Sequence, residues 1–391
     1  MATVLCFTVL NAMSDNKFDS IRPYSDEEAV KALRRLSHNP FVPIASKFLF
    51  PDEPFYRLSR MFRQVTSIED FQRNVVSRVV EGVLKRTSSG FSCDGLENLK
   101  PGKTFVAISN HRDICLDAAL TQWALYSHGL PMMEVCIGSN LMDDNRTASA
   151  LLRSVRMVRV VRGLPAREMY ESSKLLSEYI RDAVSTSRSS IWVAQKEGRA
   201  KNGLDKTAHG LVKMLDMSGM KGFYDNFSEL NITPMSISYE YEPCDILKAR
   251  ELLIASGGKY VKKRGEDTRS ILDGIRLWKG GIHLSVCRPL SENELRMASV
   301  CERAERYQTV RTLIDERIVD AYKLWNTNYI GYDLMTGGDK YASLYSDAER
   351  MAFIEYAEKR LDSVDPNLDR DAIRKIFYQI YGNPVLAREQ L

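Results

Sequence analysis

Between residues 91 and 290 the chain alternates short runs of β-branched and apolar residues with longer segments of helical periodicity. "TFVAIS", "MVRVV", "SIWVA", "ITPMSISY" and "IHLSVC" read as strands, and residues 116–127, 166–184 and 206–217 read as helices. Strands that are apolar on both sides must be covered on both sides. The alternation therefore restricts this region to an α/β layer structure, a largely buried mixed sheet flanked by helices. Residues 1–90 and 291–391 read as helical additions at the two ends. In the first, "SIEDFQRNVVSRVVEGVL" starts with Ser67 and Asp70 as a capping pair and sets Phe71, Val75, Val79 and Val83 on one face. In the second, "LIDERIVDAYKLW" and "SDAERMAFIEYAEKRL" are helical, with "NYIGYDLMTGGDKY" between them as a Gly-rich loop. No Pro/Ser-rich linker separates the parts, so the helical ends are expected to pack on the α/β region.

Charge and cysteine usage narrow the function classes. Fifty-five basic and 51 acidic residues leave a net charge of only +4, which gives no case for nucleic acid as a partner. Seven cysteines, scattered singly without a CxxC pair, argue against a zinc site and a secreted disulfide framework, and fit a reducing cytosol. No run approaches the ~20 apolar residues that span a bilayer. The apolar stretch "MATVLCFTVLNAM" lacks a basic leader and a small-residue cleavage site, and translation is expected to start at Met13, leaving residues 1–12 untranslated.

Chemistry concentrates in three places. "ISNHRDICLDAAL" puts Asn110, His111, Arg112 and Asp113 where a buried strand hands over to a helix, the edge at which α/β proteins place ligands. An imidazole there, oriented by Asp113 or Asp117, keeps its other nitrogen free as a base. In "RSVRMVRVVRGLPARE", Arg159 and Arg162 are expected on opposite sheet faces, and at least one needs a phosphate or carboxylate partner. In "SIWVAQKEGRAKNG", a buried strand containing Trp192 ends in a turn with Glu197, Gly198 and Arg199, a plausible anion site. Pro234 near the start of "ITPMSISY" indicates an edge strand or a strand start.

In this order the segments resemble the glycerolipid acyltransferases, the family of glycerol-3-phosphate and lysophosphatidate acyltransferases. "NHRDICLD" is similar to the family's His and Asp block, "VRVVRG" to its Arg-ended strand, "VAQKEGRAK" to its Glu-Gly block and "ITPMSI" to its Pro-bearing strand. Here His111 and Asp117 are separated by five residues where the family has four, Gln195-Lys196 stands for Phe-Pro, and Arg199 follows Gly198 directly.

The resemblance implies transfer of a fatty acyl chain from acyl-CoA or acyl-carrier protein to the hydroxyl of a glycerol phosphate or lysophospholipid, with no cofactor and no metal. It implies His111 as general base with an aspartate partner, and Asn110, Arg112, Arg162, Glu197, Gly198, Arg199 and Pro234 on the substrate side. Of the two aspartates, Asp117 lies one helical turn beyond Asp113 and is the expected partner of His111. Asp113 is then the helix N-cap, accepting from the amides of residues 115 and 116. Cys115 reads as a packing residue. The implied location is the cytoplasmic face of a membrane, held peripherally on the lipid surface, with the N-terminal helices as the contact. Competing readings are O-acylation of an acylated amino acid to give a phosphate-free aminolipid, and a non-catalytic lipid-binding protein of the same fold.

Overall fold

The structure is a computed structural model that describes residues 17–143, 145–258 and 260–391; the expected start at Met13 lies outside them. Its centre is a seven-stranded sheet of β1 (Gly90–Asp94), β2 (Val106–Ser109), β3 (Glu134–Gly138), β4 (Met157–Val160), β5 (Ile191–Ala194), β6 (Thr233–Tyr239) and β7 (Gly281–Val286). The spatial order is β1-β7-β6-β2-β5-β3-β4. From β6 to β4 all neighbours are parallel, β7 runs antiparallel to β6, and β1 is parallel to β7. The sheet is thus mixed, with β2 at its middle.

Alternation along the central strands divides the core between the two faces. Val106 and Ile108 of β2 point to a cluster that includes Ile191, Val193, Ile180 and Ile314. Ala107 joins Trp192, Leu120 and Leu284 on the other side. Both clusters exclude water, as strands apolar on both faces require.

Two strands escape the periodicity argument. β1 reads "GFSCD" and alternates only between half-buried and exposed, while β3, "EVCIG", begins with a buried glutamate. Glu134 is tolerated inside because Tyr179 donates to one carboxylate oxygen at 2.5 Å and Arg188 to the other at 2.6 Å. Pro234 does not mark an edge. It pairs with Ile108 inside the sheet, at the second position of a strand flanked by β2 and β7. The helix predicted for residues 206–217 spans His209–Asp216.

The helices of each end pack on the α/β region and among themselves. Ser67 caps at Asp70 as read, but a π-helical turn at Gln72–Val76 rotates the helix, so that Phe71 and Val75 fill one cluster while Val80 and Val83 fill another. Residues read as a Gly-rich loop are mostly the helix Asn326–Thr336. Gly331 serves a close crossing with the helix Arg370–Glu389, not a turn: a Cβ there would meet Tyr381 Cβ at 2.6 Å, and one at Gly382 would meet Tyr332 Cα at 2.8 Å. The spacing of glycine was legible; its partner helix, fifty residues on, was not.

Gly331→Leu should therefore force the two helices apart and cost ~1–3 kcal/mol or more, as overpacking of a close contact does. A fall in the urea midpoint without a change of slope would register it; an unchanged midpoint would contradict the crossing.

Candidate active site

The C-terminal ends of β2, β3, β4 and β5 point the same way, and every chemically suggestive segment follows one of them. This is the edge at which open α/β sheets bind ligands. His111 leaves β2 two residues after Ser109 and stands just before the helix Leu116–Ser127. Its Nδ1 lies 2.8 Å from Asp117 Oδ2, and its ring meets the Trp192 ring edge-on at 5.8 Å between centroids. The imidazole is 16% exposed against 1% for Asp117, so it shows one edge to solvent.

Asp117 is held by four donors. Oδ2 also accepts the amides of Arg112 at 2.5 Å and Asp113 at 2.9 Å, and Oδ1 accepts the Tyr239 hydroxyl at 2.7 Å. Burial by itself would push this carboxyl up, but the bonds and charge of His111, then Tyr239 and the Asp113 amide, outweigh it and hold the group below its ordinary value. An ionised Asp117 only accepts, so His111 carries its proton on Nδ1 and leaves Nε2 with a lone pair. That nitrogen can take a proton from a hydroxyl. Tyr239, whose hydroxyl burial keeps protonated, went unseen in the sequence; only the strand alternation of "SISY" gave a sign of its inward face.

Asp113 has another task. Its Oδ1 accepts the amides of Cys115 at 2.9 Å and Leu116 at 2.8 Å, opening the helix. Its Oδ2 has no hydrogen-bond partner among the described residues and lies against Gly274, where a Cβ would sit 2.2 Å away. Burial, reinforced by the charge of Asp117, raises the Asp113 carboxyl above its ordinary value. Burial also pushes the Cys115 thiol up to about 12, with Asp113 and Asp117 adding to it, so this cysteine is a poor nucleophile.

Asn110 and Arg112, both expected on the substrate side, lie beneath the site instead. Asn110 is fully buried and clips β2 to β6, exchanging hydrogen bonds with the Ile237 backbone at 2.8 and 2.9 Å and donating to Asp205 at 3.1 Å. Arg112 is fully buried as well. Its Nη2 donates to Asp205 at 2.5 Å, its Nη1 is 3.6 Å from Glu242, and its guanidinium lies over the Tyr322 ring at 5.0 Å. Lys248 completes the layer, donating to Glu242 at 2.6 Å and to the Arg112 carbonyl at 2.7 Å. A polar pair next to a histidine looks like a site in sequence; only the partners from residues 205, 242, 248 and 322 show that it is a support. Pro234, inside the sheet, is likewise buried and presents nothing to a ligand.

The cations separate by position. Arg159 pairs with Asp143 through two bonds of 2.7 Å. Arg162 falls beyond the end of β4, so it is not on the sheet face opposite Arg159; its guanidinium lies over Gly138, where a Cβ would come within 2.7 Å of Cζ. Gly138 was not singled out in the sequence, and it is what lets Arg162 lean from the edge strand toward the centre. Arg162 Nε is 3.7 Å from the exposed Glu197 carboxylate, a weak and exchangeable pair. Gly198 has φ +71°, a left-handed conformation that suits glycine. Arg199 donates from Nη2 to Ser270 Oγ at 3.3 Å, while its buried Nη1 has no partner among the described residues. The next amide, Ala200 N–H, donates to the His111 carbonyl at 2.7 Å and ties this turn to the histidine.

The two aspartates should respond oppositely to loss of charge. In Asp117→Asn, the amide oxygen can keep the backbone and His111 donors while Nδ2 donates to the Tyr239 oxygen, so the chain should fold. Any proton transfer through His111 should fall on the order of 10³–10⁴-fold for want of a counter-charge. Asp113 has a raised carboxyl, so its ionisation opposes folding as pH rises through the folded-state value. Asp113→Asn keeps the cap and removes that cost; its Tm at pH 7 should equal or exceed the parent's, with the difference vanishing at acid pH. Thermal melts from pH 4 to 8 check the sign, and a large loss of Tm at pH 7 would refute it.

The Acyltransferase family model matches residues 90–240, which include β1 through β6 and the His111 site. Among solved structures, the chain is similar to the 1-acyl-sn-glycerophosphate (LPA) acyltransferase PlsC from Thermotoga maritima. The identity is 12% and the TM-score 0.40, over 77% of this chain and 98% of that one. A comparison with curated proteins finds no match. Over residues 90–240, the segment that builds the His111 site, this chain is thus similar to the acyltransferase family.

Proposed function

We propose that the protein transfers a fatty acyl chain from a thioester, acyl-CoA or acyl-carrier protein, to a hydroxyl of a glycerol phosphate or lysophospholipid. The observation that carries this reading is the His111–Asp117 pair, with Nε2 open, at the end of the central strand and beside the arginine-bearing turn of residues 197–199. A hydroxyl is a weak nucleophile near neutral pH. His111 Nε2 takes its proton as the oxygen attacks the thioester carbonyl; the buried Asp117 carboxylate stabilises the imidazolium, which then returns the proton to the departing thiolate. No covalent acyl-enzyme is needed. Strands in a sheet are spaced ~4.8 Å apart, so β4 lies roughly 14 Å from β2, and Arg162 recovers about one spacing by leaning over Gly138. A phosphate exchanged onto Arg162 from Glu197, with Arg199 on the near side, holds the acceptor with its hydroxyl toward His111.

Among the described residues no helix is long and apolar enough to cross a membrane. Access to lipid on this reading comes from the surface of the N-terminal helices Phe41–Leu49 and Arg57–Gln64. Phe41 and Ile44 are 71% and 66% exposed, and Phe55 and Tyr56, between the two helices, 62% and 51%. Lys47 and Arg60 stand exposed beside them. Aromatic and aliphatic side chains flanked by cations match the interfacial zone of a cytoplasmic leaflet.

Two measurements test the reading. Arg162→Ala should raise KM for a phosphorylated acceptor about tenfold or more, the loss of one charge-assisted contact of ~1.5–3 kcal/mol, with kcat at saturation largely kept; an unchanged KM would sink the phosphate assignment. Phe41→Ser with Ile44→Ser should lower binding to anionic vesicles by about tenfold or more without changing Tm, since both side chains are already in water. Undiminished vesicle binding would move the membrane contact elsewhere.

A further inference from the structure

β6 and β7 are antiparallel neighbours that a tight turn would join, yet residues 240–280 intervene and fold into the helices Asp245–Ser256 and Glu266–Arg276. The second helix touches the site from above, Ser270 holding Arg199 and Gly274 lying on Asp113. Between the two helices and the turn at residues 363–365 is a cavity of about 460 Å³, within the range of small-ligand sites. Its inner end is the half-buried Arg199, whose Nη1 is buried, and its outer end is the exposed pair Lys263 and Arg264.

Charge in this cavity is unbalanced. Arg250 is 3.9 Å from Glu266, Lys262 pairs with Asp267 at 2.6 Å, and Arg269 is 3.7 Å from Asp273; Glu251 is taken by Lys201. Arg199, Lys263 and Arg264 have no carboxylate within ion-pair distance among the described residues. Against these three stands Asp365, whose carboxylate already accepts from the amide and side chain of Asn367 at 3.0 and 2.9 Å. Tyr260 adds an aromatic surface to the wall, its hydroxyl fixed on Glu266 at 2.6 Å.

We propose that this cavity binds the nucleotide phosphates of an acyl-CoA donor, with Lys263 and Arg264 as the phosphate-binding cations and Tyr260 as a platform for the base. The assignment rests on the acyl-transfer reading for its donor, but not for its geometry. A cation path from surface to inner end fits a ligand with several phosphates outside and a thioester inside. The single phosphodiester of a carrier-protein arm would leave the outer cations unmatched. An anionic lipid headgroup would meet a concave polar cavity in place of an apolar-rimmed face.

The test uses the full chain and the double variant Lys263→Ala/Arg264→Ala, both positions being exposed and free of ion pairs. Calorimetric titration with adenosine 3′,5′-bisphosphate, the nucleotide end of the donor alone, should show binding to the parent and a loss of about tenfold or more in the variant. In turnover the variant should raise KM for acyl-CoA by a similar factor, leave kcat, and leave the use of acyl-pantetheine unchanged. No binding of the bisphosphate to the parent, or equal binding to both proteins, would overturn the proposal. So would a variant that loses only affinity for anionic vesicles, which would assign the cavity to a lipid headgroup. Bisphosphate binding that is lost in the variant while no acyl transfer is detected in either protein would uphold the cavity and refute the acyl-transfer reading.

Discussion

The carboxylate of Asp117 is the interaction on which the site depends. Its four donors come from the imidazole, two successive backbone amides and a hydroxyl on a different strand, so one buried anion sets the path of the chain after β2, the tautomer of His111 and the distance between β2 and β6. A buried carboxylate without such donors would be driven toward its neutral form. Here the fold supplies enough of them to keep the charge, and the charge in turn fixes the imidazole proton on Nδ1 and leaves the lone pair on the nitrogen that faces solvent.

Beneath it, a second layer explains why the C-terminal helices belong to the architecture of the site. Arg112 and Lys248 are balanced by Asp205 and Glu242, all four buried, and the Tyr322 ring closes the layer. Removing one member of such a set leaves an uncompensated charge and costs about 3–5 kcal/mol. The same region is bolted outward through Asp245, which accepts from Tyr356 at 2.7 Å, Tyr381 at 2.9 Å and Arg360 at 2.9 and 3.0 Å. Tyr381 in turn accepts from the Glu242 amide at 3.0 Å. Packing defects in the last helices are therefore transmitted to the floor under His111 by hydrogen bonds, not only by apolar contact.

Much of this was legible in sequence where the signal was local. β2 and β5 declare themselves by runs of apolar residues and β6 by its alternation, and the positions of Asp113 just before a helix and Asp117 in its first turn fix what each can reach. What escaped was set by residues remote in the chain. β3 hides behind Glu134 because the hydroxyl and guanidinium that satisfy it come from residues 179 and 188, and Arg112 looks like a ligand because its carboxylate partners are 93 and 130 positions away. Glycine misled in the same manner at 331, where it marks a helix crossing, and went unremarked at 138, the resting place of an arginine; neither purpose is written in the neighbouring residues.

The reversal of direction between β6 and β7 has one more implication. Parallel strands need a crossover of defined hand and length, which ties each connection to the sheet. An antiparallel pair needs only a turn, so the segment between β6 and β7 is free to lengthen, shorten or be exchanged without disturbing the strands it joins. The chain has put its roof over the edge that carries His111 in the one place where such a replacement leaves the sheet intact, among the elements that border the site. Chains sharing the same histidine–aspartate pair and the same sheet can thus diverge in what they admit, by trading this single module.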